Sequence, residues 1–148
     1  MKKLFFIFLI FGMIFGLMSK KNKYIEIKSL NINIKIPNEC NLANTPEKDR
    51  DIDFLCLKNN NYIHIGISEI EKENMDKIIE NLKNIKYKNI NDLKINSDTA
   101  SYFVKFDDKE QHYKLLIPKN IVFVSDSISY LNLFFDRVAN KIDLIENN

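Results

Sequence analysis

Apolar and polar residues take turns at the start of the mature-looking region. Ile25 and Ile27 alternate with Glu26 and Lys28; Leu30, Ile32, Ile34 and Ile36 then alternate with Asn31, Asn33 and Lys35. A period of two is that of a half-buried strand. The parity slips between Ile27 and Leu30, which predicts a bulge or tight break near Ser29, since an unbroken strand would turn one set to water. Pro37 ends the strand. Residues 38–51 carry neither period and predict the longest loop of the domain, which includes Pro46 and the charged run from Glu47 to Asp51.

A hairpin follows, with strands over 52–58 and 62–68 joined at Asn59, Asn60 and Asn61, because Asn tolerates the left-handed conformation better than most residues. Within its second strand Ile63, Ile65 and Ile67 share one face and Tyr62, His64, Gly66 and Ser68 the other. Met75, Ile78, Ile79, Leu82 and Ile85 then recur at helical spacing, predicting a helix over about 71–86 that lies on the sheet, with Ser68 and Glu71 as its capping box. Four more strands are expected around 93–95, 99–106, 111–117 and 121–125, turning at 107–110 and at 118–120. Sequential neighbours of this kind form an antiparallel meander most economically. The last element is the most regular. Ile128, Leu131, Phe134, Phe135, Val138, Ile142 and Ile145 make one stripe of an amphipathic helix over about 128–145, preceded by Asp126 and Ser127 as candidate caps. The expected fold class is therefore α+β: an antiparallel sheet, one internal helix and a closing helix packed on it.

Ahead of this region Lys2 and Lys3 precede an unbroken apolar run from Leu4 to Met18. The run is shorter than the ~20 residues that usually span a bilayer, and charge followed by a short apolar core is the pattern of an export signal. Residues 1–19 are thus read as a signal peptide, with Ser19 an acceptable last residue. The alternative is an N-terminal anchor through residues 4–18, because Lys20, Lys21 and Lys23 place basic residues on its other side as well. Residues 24–148 are long enough for a single core and not for two. Of 22 basic and 20 acidic residues, removal of Lys2 and Lys3 leaves 20 against 20. A neutral domain lacks the concentrated basic face that displaces phosphate counterions, so nucleic acid is not an expected partner.

The exported leader, the strand closing in Ile34, Lys35, Ile36 and Pro37, the hairpin, the helix and the Leu93-Lys94-Ile95-Asn96 then Ala100 stretch entering a meander form a recognisable order. With the closing amphipathic helix, this order resembles the Mog1/PsbP-like proteins over roughly 24–148. The resemblance implies a binding or accessory role, commonly non-catalytic and envelope-associated, without naming a partner.

Candidate chemistry is sparse. Cys40 and Cys56 are the only cysteines, and in an exported chain they form either a disulfide or two separate thiols, since sequence does not show whether their Cβ atoms approach. They are too far apart for a C-x-x-C redox motif. His64 and His112, with Asp107, Asp108 or Glu110 as oxygen donors, invite a metal reading, but no H-x-x-x-H or His/Cys cluster accompanies them. With only 3 glycines the chain has no Gly-rich phosphate loop and no dinucleotide fingerprint, and it has no G-x-S-x-G elbow. Ser125, Asp126 and Ser127 read as a helix cap before a nucleophile. No catalytic residue, cofactor or metal ligand is therefore assigned. The preferred expectation is a periplasmic or extracellular interaction module, holding an unidentified protein or envelope component and associating with the membrane if its N-terminal segment is retained. The alternative is a small hydrolase or metal-dependent enzyme with a site near His64 and His112.

Overall fold

The structure, a computed structural model, describes residues 23–27, 31–43, 51–84, 90–107 and 109–146. Residues 1–22, on which the signal or anchor reading falls, lie outside the described residues, as do Ser29 and Ile85. No helix among the described residues is long and apolar enough to cross a membrane.

The described residues form nine strands, all but β3 from segments of largely period-two patterning: β1 (Lys23–Ile27), β2 (Ile32–Ile36), β3 (Cys40–Leu42), β4 (Asp51–Lys58), β5 (Asn61–Glu69), β6 (Ile90–Ile95), β7 (Thr99–Phe106), β8 (Lys109–Leu116) and β9 (Ile121–Ser125). Period-3.6 patterning yields α1 (Lys72–Lys83) between β5 and β6, and α2 (Ile128–Glu146) after β9. β3 to β9 form one antiparallel sheet in the order β3-β4-β5-β9-β8-β7-β6. The expected meander is present from β6 to β9. The chain between β5 and β6, which carries α1, leads from mid-sheet to the far edge, so that β9 returns to pair with β5.

Two local expectations are corrected and one is made specific. On either side of the break expected near Ser29, β1 and β2 pair antiparallel as a separate two-stranded sheet, with Ile27 opposite Ile32. Reversal solves the parity problem outright, because Ile27, Ile32, Ile34 and Ile36 all reach the core while Asn33 and Lys35 stay exposed. The expected loop over 38–51 begins with a strand, since Cys40–Leu42 pairs with β4. Ser68 does not cap α1. It is a β5 residue paired with Asp51 and Val122, and Glu71 occupies the N-cap position with no side-chain cap. Sheet pairing on both sides of Ser68 outweighs one capping bond, which contributes ~1 kcal/mol.

Asn residues hold two of the sharpest turns. Asn59 and Asn60 both have positive φ, 52° and 62°, and make the two-residue link whose twist matches a hairpin; Asn120, at φ 55°, ends the 3-10 turn Ile117–Lys119 before β9.

Strand β9 alternates between the two helices. Ile121 and Phe123 on β9 pack with Leu131, Phe134, Phe135 and Val138 of α2, whereas Val122 packs on the cluster of Met75, Ile78 and Ile79 of α1. The helices therefore cover opposite faces. On the inner face, α2 and the β1–β2 hairpin close over β3, β4, β5 and β9, with Phe54, Phe123 and Phe134 fully buried. Fully burying a side chain of this size contributes ~1.5–3 kcal/mol. On the outer face, α1 covers β7, β8 and β9 through Met75, Ala100 and Leu115, beside the stacked pair Tyr102 and Tyr113. This diagonal placement leaves the outer face open at the β4–β5 end and the inner face open at the β6–β7 end.

Candidate functional site

The β3–β4 register sets Cys40 directly opposite Cys56, and the two form a disulfide. Both are wholly buried in the inner-face core. Of the two readings left open by the sequence, the bonded one holds. The bridge secures β3, a strand of only three residues, to β4. Lys23 guards the same strand: its Nζ donates to Asn38 O and Cys40 O at 3.2 Å and to Asn41 Oδ1 at 2.7 Å. A short strand with a lysine across it is a poor template for pairing with another chain.

Beside the disulfide, the Tyr130 hydroxyl donates to Glu39 Oε1 at 2.9 Å, and Lys58 Nζ lies 5.7 Å from the Tyr130 ring centroid. A hydrogen bond from its own backbone amide, the Tyr130 hydroxyl and the charges of Arg137 and Lys58 hold the Glu39 carboxyl below its ordinary 4.5, against a smaller opposing effect of burial. Burial, then the bond to Glu39 and its charge, push the Tyr130 hydroxyl above 10.0; burial alone does so for Tyr113. A raised pKa means that the folded state keeps its proton where the unfolded state has lost it. The stabilising contribution of both tyrosines is thus complete below pH 10 and declines as pH rises through the folded-state values. Glu39 works in the other direction: its contribution is present above pH 4.5 and declines as pH falls through its lowered value. Urea unfolding as a function of pH should show an alkaline loss of stability that is shallower in Tyr130→Phe. An unchanged slope would assign the loss elsewhere.

The histidines singled out in the sequence do not meet. His112 pairs with Ser125, and Ser125 with Ile65, so these three share the inner face; His64, adjacent to Ile65, projects from the outer one. No cluster of three His, Cys, Asp or Glu suited to a metal ion occurs among the described residues. Each histidine has its own setting. His112 lies against Phe103, ring centroids 5.6 Å apart, with Nε2 3.8 Å from Glu110 Oε2. His64 Nε2 is 2.9 Å from Asp53 Oδ1 across the β4–β5 pair. Asp107 takes a positive φ of 53° at the β7–β8 turn, and Asp108 lies outside the described residues.

The Ser125-Asp126-Ser127 step is a splice between β9, β5 and α2. Buried Ser125 Oγ donates to His64 O at 2.8 Å and accepts from Ser127 N–H at 3.0 Å. Asp126 is not the cap: its Oδ1 accepts the His64 backbone N–H at 3.1 Å, while Ser127 O accepts the first turn's bond from Leu131. Ser125 and Asp126 are thus occupied in holding backbone.

What the sequence did not single out is the open outer face of β4 and β5. Alternation places Asp53, Leu55 and Leu57 of β4 beside Gly66, His64 and Tyr62 of β5, each facing its registered partner. Leu55, Leu57 and Tyr62 are 39 %, 47 % and 70 % exposed. Their signal was present as apolar residues at the polar parity of β4, whose buried set is Ile52, Phe54 and Cys56. Gly66 is closely approached by its neighbours. A Cβ there would stand 2.8 Å from Val124 Cγ1 and 3.3 Å from Asp53 Oδ1. Gly66→Ala is therefore expected to cost ~1–3 kcal/mol by overpacking and to displace the Asp53–His64 pair. Chemical denaturation together with the NMR shift of the His64 ring checks both effects.

The fold and this site define a disulfide-braced α+β domain with one open, partly apolar sheet face. In comparisons with known proteins, no family model, no curated protein and no solved structure matches the chain.

Proposed function

We propose that this chain is an exported, non-catalytic accessory module of the cell envelope that holds a protein or envelope component on the outer face of β4 and β5. The observation that carries this reading is the exposure of Leu55, Leu57 and Tyr62 side by side on paired strands, since contiguous exposed apolar residues mark interaction surfaces. Export is supported by the Lys2-Lys3 and Leu4–Met18 leader and by a buried disulfide, a bond that persists in oxidising compartments. The order of strands and helices supports placement among the Mog1/PsbP-like proteins. Against the enzyme alternative, His64 and His112 lie on opposite faces and share no site.

A photo-crosslinking residue in place of Tyr62, introduced into the native exported protein in intact cells, tests the surface. A discrete adduct in the envelope fraction is expected, abolished by Leu57→Asp and absent with the crosslinker at exposed Glu73 on α1. The same adducts from both positions would remove the outer face from consideration. N-terminal sequencing of that protein decides between the two leader readings: a start near Lys20 means cleavage, and Met1 means an anchor.

A further inference from the structure

The opposite corner of the sheet carries a site that the outer-face reading does not use. On the inner face, beyond the edge of α2, register aligns Lys94 of β6, Ser101 of β7 and Lys114 of β8 in a single row. Two strand spacings separate the lysine backbones by ~10 Å, so both ammonium groups can reach a single group placed over Ser101. Neither lysine has a carboxylate within ion-pair distance among the described residues. Lys114 rests instead on the ring of Phe135, Nζ 4.5 Å from its centroid. Lys94 and Ser101 line both of two adjoining lobes of a groove. One, of ≈ 230 Å³, reaches Lys114 and Phe135; the other, of ≈ 440 Å³, runs over Phe103 and His112 to Ile128 at the start of α2. Asn132 lies on the same side of α2 as Ile128 and Phe135, and its buried Oδ1 has no hydrogen-bond partner.

We infer that this groove binds a small amphipathic anion, with its carboxylate or phosphate head at Ser101 between Lys94 and Lys114 and its apolar body along Phe103 and Ile128. Charge complementarity selects the head. Two cations flanking a hydroxyl, partly shielded by an aromatic ring, form charge-assisted hydrogen bonds to an anion that are stronger than neutral ones. The gradient along the groove sets the orientation. Asp92 and Glu110 line only the larger lobe, so an anionic head there meets like charge, whereas an apolar body there meets Phe103 and Ile128. A volume of this order matches small-molecule sites lined by apolar groups with a few polar ones.

Calorimetric titration of the native exported protein with octanoate, octyl phosphate, octanol and inorganic phosphate, each below its aggregation concentration, tests the site. Octanoate and octyl phosphate are expected to bind, and the better of the two identifies the head. Octanol and inorganic phosphate should each bind at least about tenfold more weakly, because each lacks one half of the recognition. The double variant Lys94→Gln/Lys114→Gln alters exposed and half-buried groups and should melt like the native protein while losing at least about tenfold in affinity. Ile128→Asp should weaken both amphiphiles and leave any inorganic phosphate binding unchanged. Octanoate affinity that survives the lysine changes, as uptake by an apolar leader would, overturns the site, as does failure of both amphiphiles to bind. Leu57→Asp on the outer face should have no effect here, so the two surfaces succeed or fail separately.

Discussion

Replacing both Cys40 and Cys56 with alanine is expected to lower the stability of the domain by about 3 kcal/mol. The bond closes a loop with a sequence separation of 16, and cross-linking a loop of that length removes about this much entropy from the unfolded chain. For a domain of this size the shift in Tm is on the order of 10 °C. The location adds to the effect. Both sulfurs are fully buried against the inner-face core, so their loss leaves space that the three residues of β3 have little pairing to close. Calorimetry of native protein against the double variant checks the magnitude, and non-reducing mass spectrometry checks the bond. Equal Tm values would mean that β3 is held by Lys23 and the β4 ladder without the bridge.

Phe134→Ala should cost about 3–5 kcal/mol, the range for truncating a fully buried aromatic. Phe134 projects from the middle of α2 with no exposed surface, its ring centroid 4.9 Å from that of Phe54 on β4. It joins the helix to the strand that also carries Cys56. Its neighbour Phe135 meets Phe123 edge-on and carries Lys114, so truncating Phe135 disturbs the groove as well as the core. Phe134→Leu, which keeps most of the volume, should cost substantially less. Urea denaturation of the two variants separates lost volume from lost helix. A Phe134→Ala cost under about 1 kcal/mol would show that the α2–sheet contact is loosely packed.

Helix α2 was legible because its stripe from Leu131 to Ile142 repeats at 3.6 residues and meets a single buried surface, although Ile128 at its start is half exposed. The two faces of β5 were legible for the same kind of reason, a period of two with Ile63, Ile65 and Ile67 in phase. Errors arose where a local signal competed with pairing to distant strands. Ser68 has the spacing of a capping residue from Glu71, but bonds to β4 and β9 hold it in the sheet. Of the two candidate caps, Ser127 holds the cap position, while the Asp126 carboxylate reaches the His64 backbone 62 residues away. The outer apolar face was overlooked because Leu55 and Leu57, read along β4, belong to a run of mixed parity. Only their alignment with Tyr62 and His64 across the hairpin makes a surface of them.

Residue order alone determined most of the segments that became strands or helices, β3 excepted, and the buried side of each, because those properties depend on neighbours one to four positions apart. It also placed the turns, through Asn at positions that need positive φ. The tertiary structure decided the rest: that β9 lies beside β5, that His64 and His112 face opposite ways, that Cys40 opposes Cys56, and that Lys94, Ser101 and Lys114 form one row. Each of these is a matter of register between strands far apart in the chain. A shift of one residue exchanges the two faces of a strand, and only the simultaneous burial of both helices against one sheet selects among the registers.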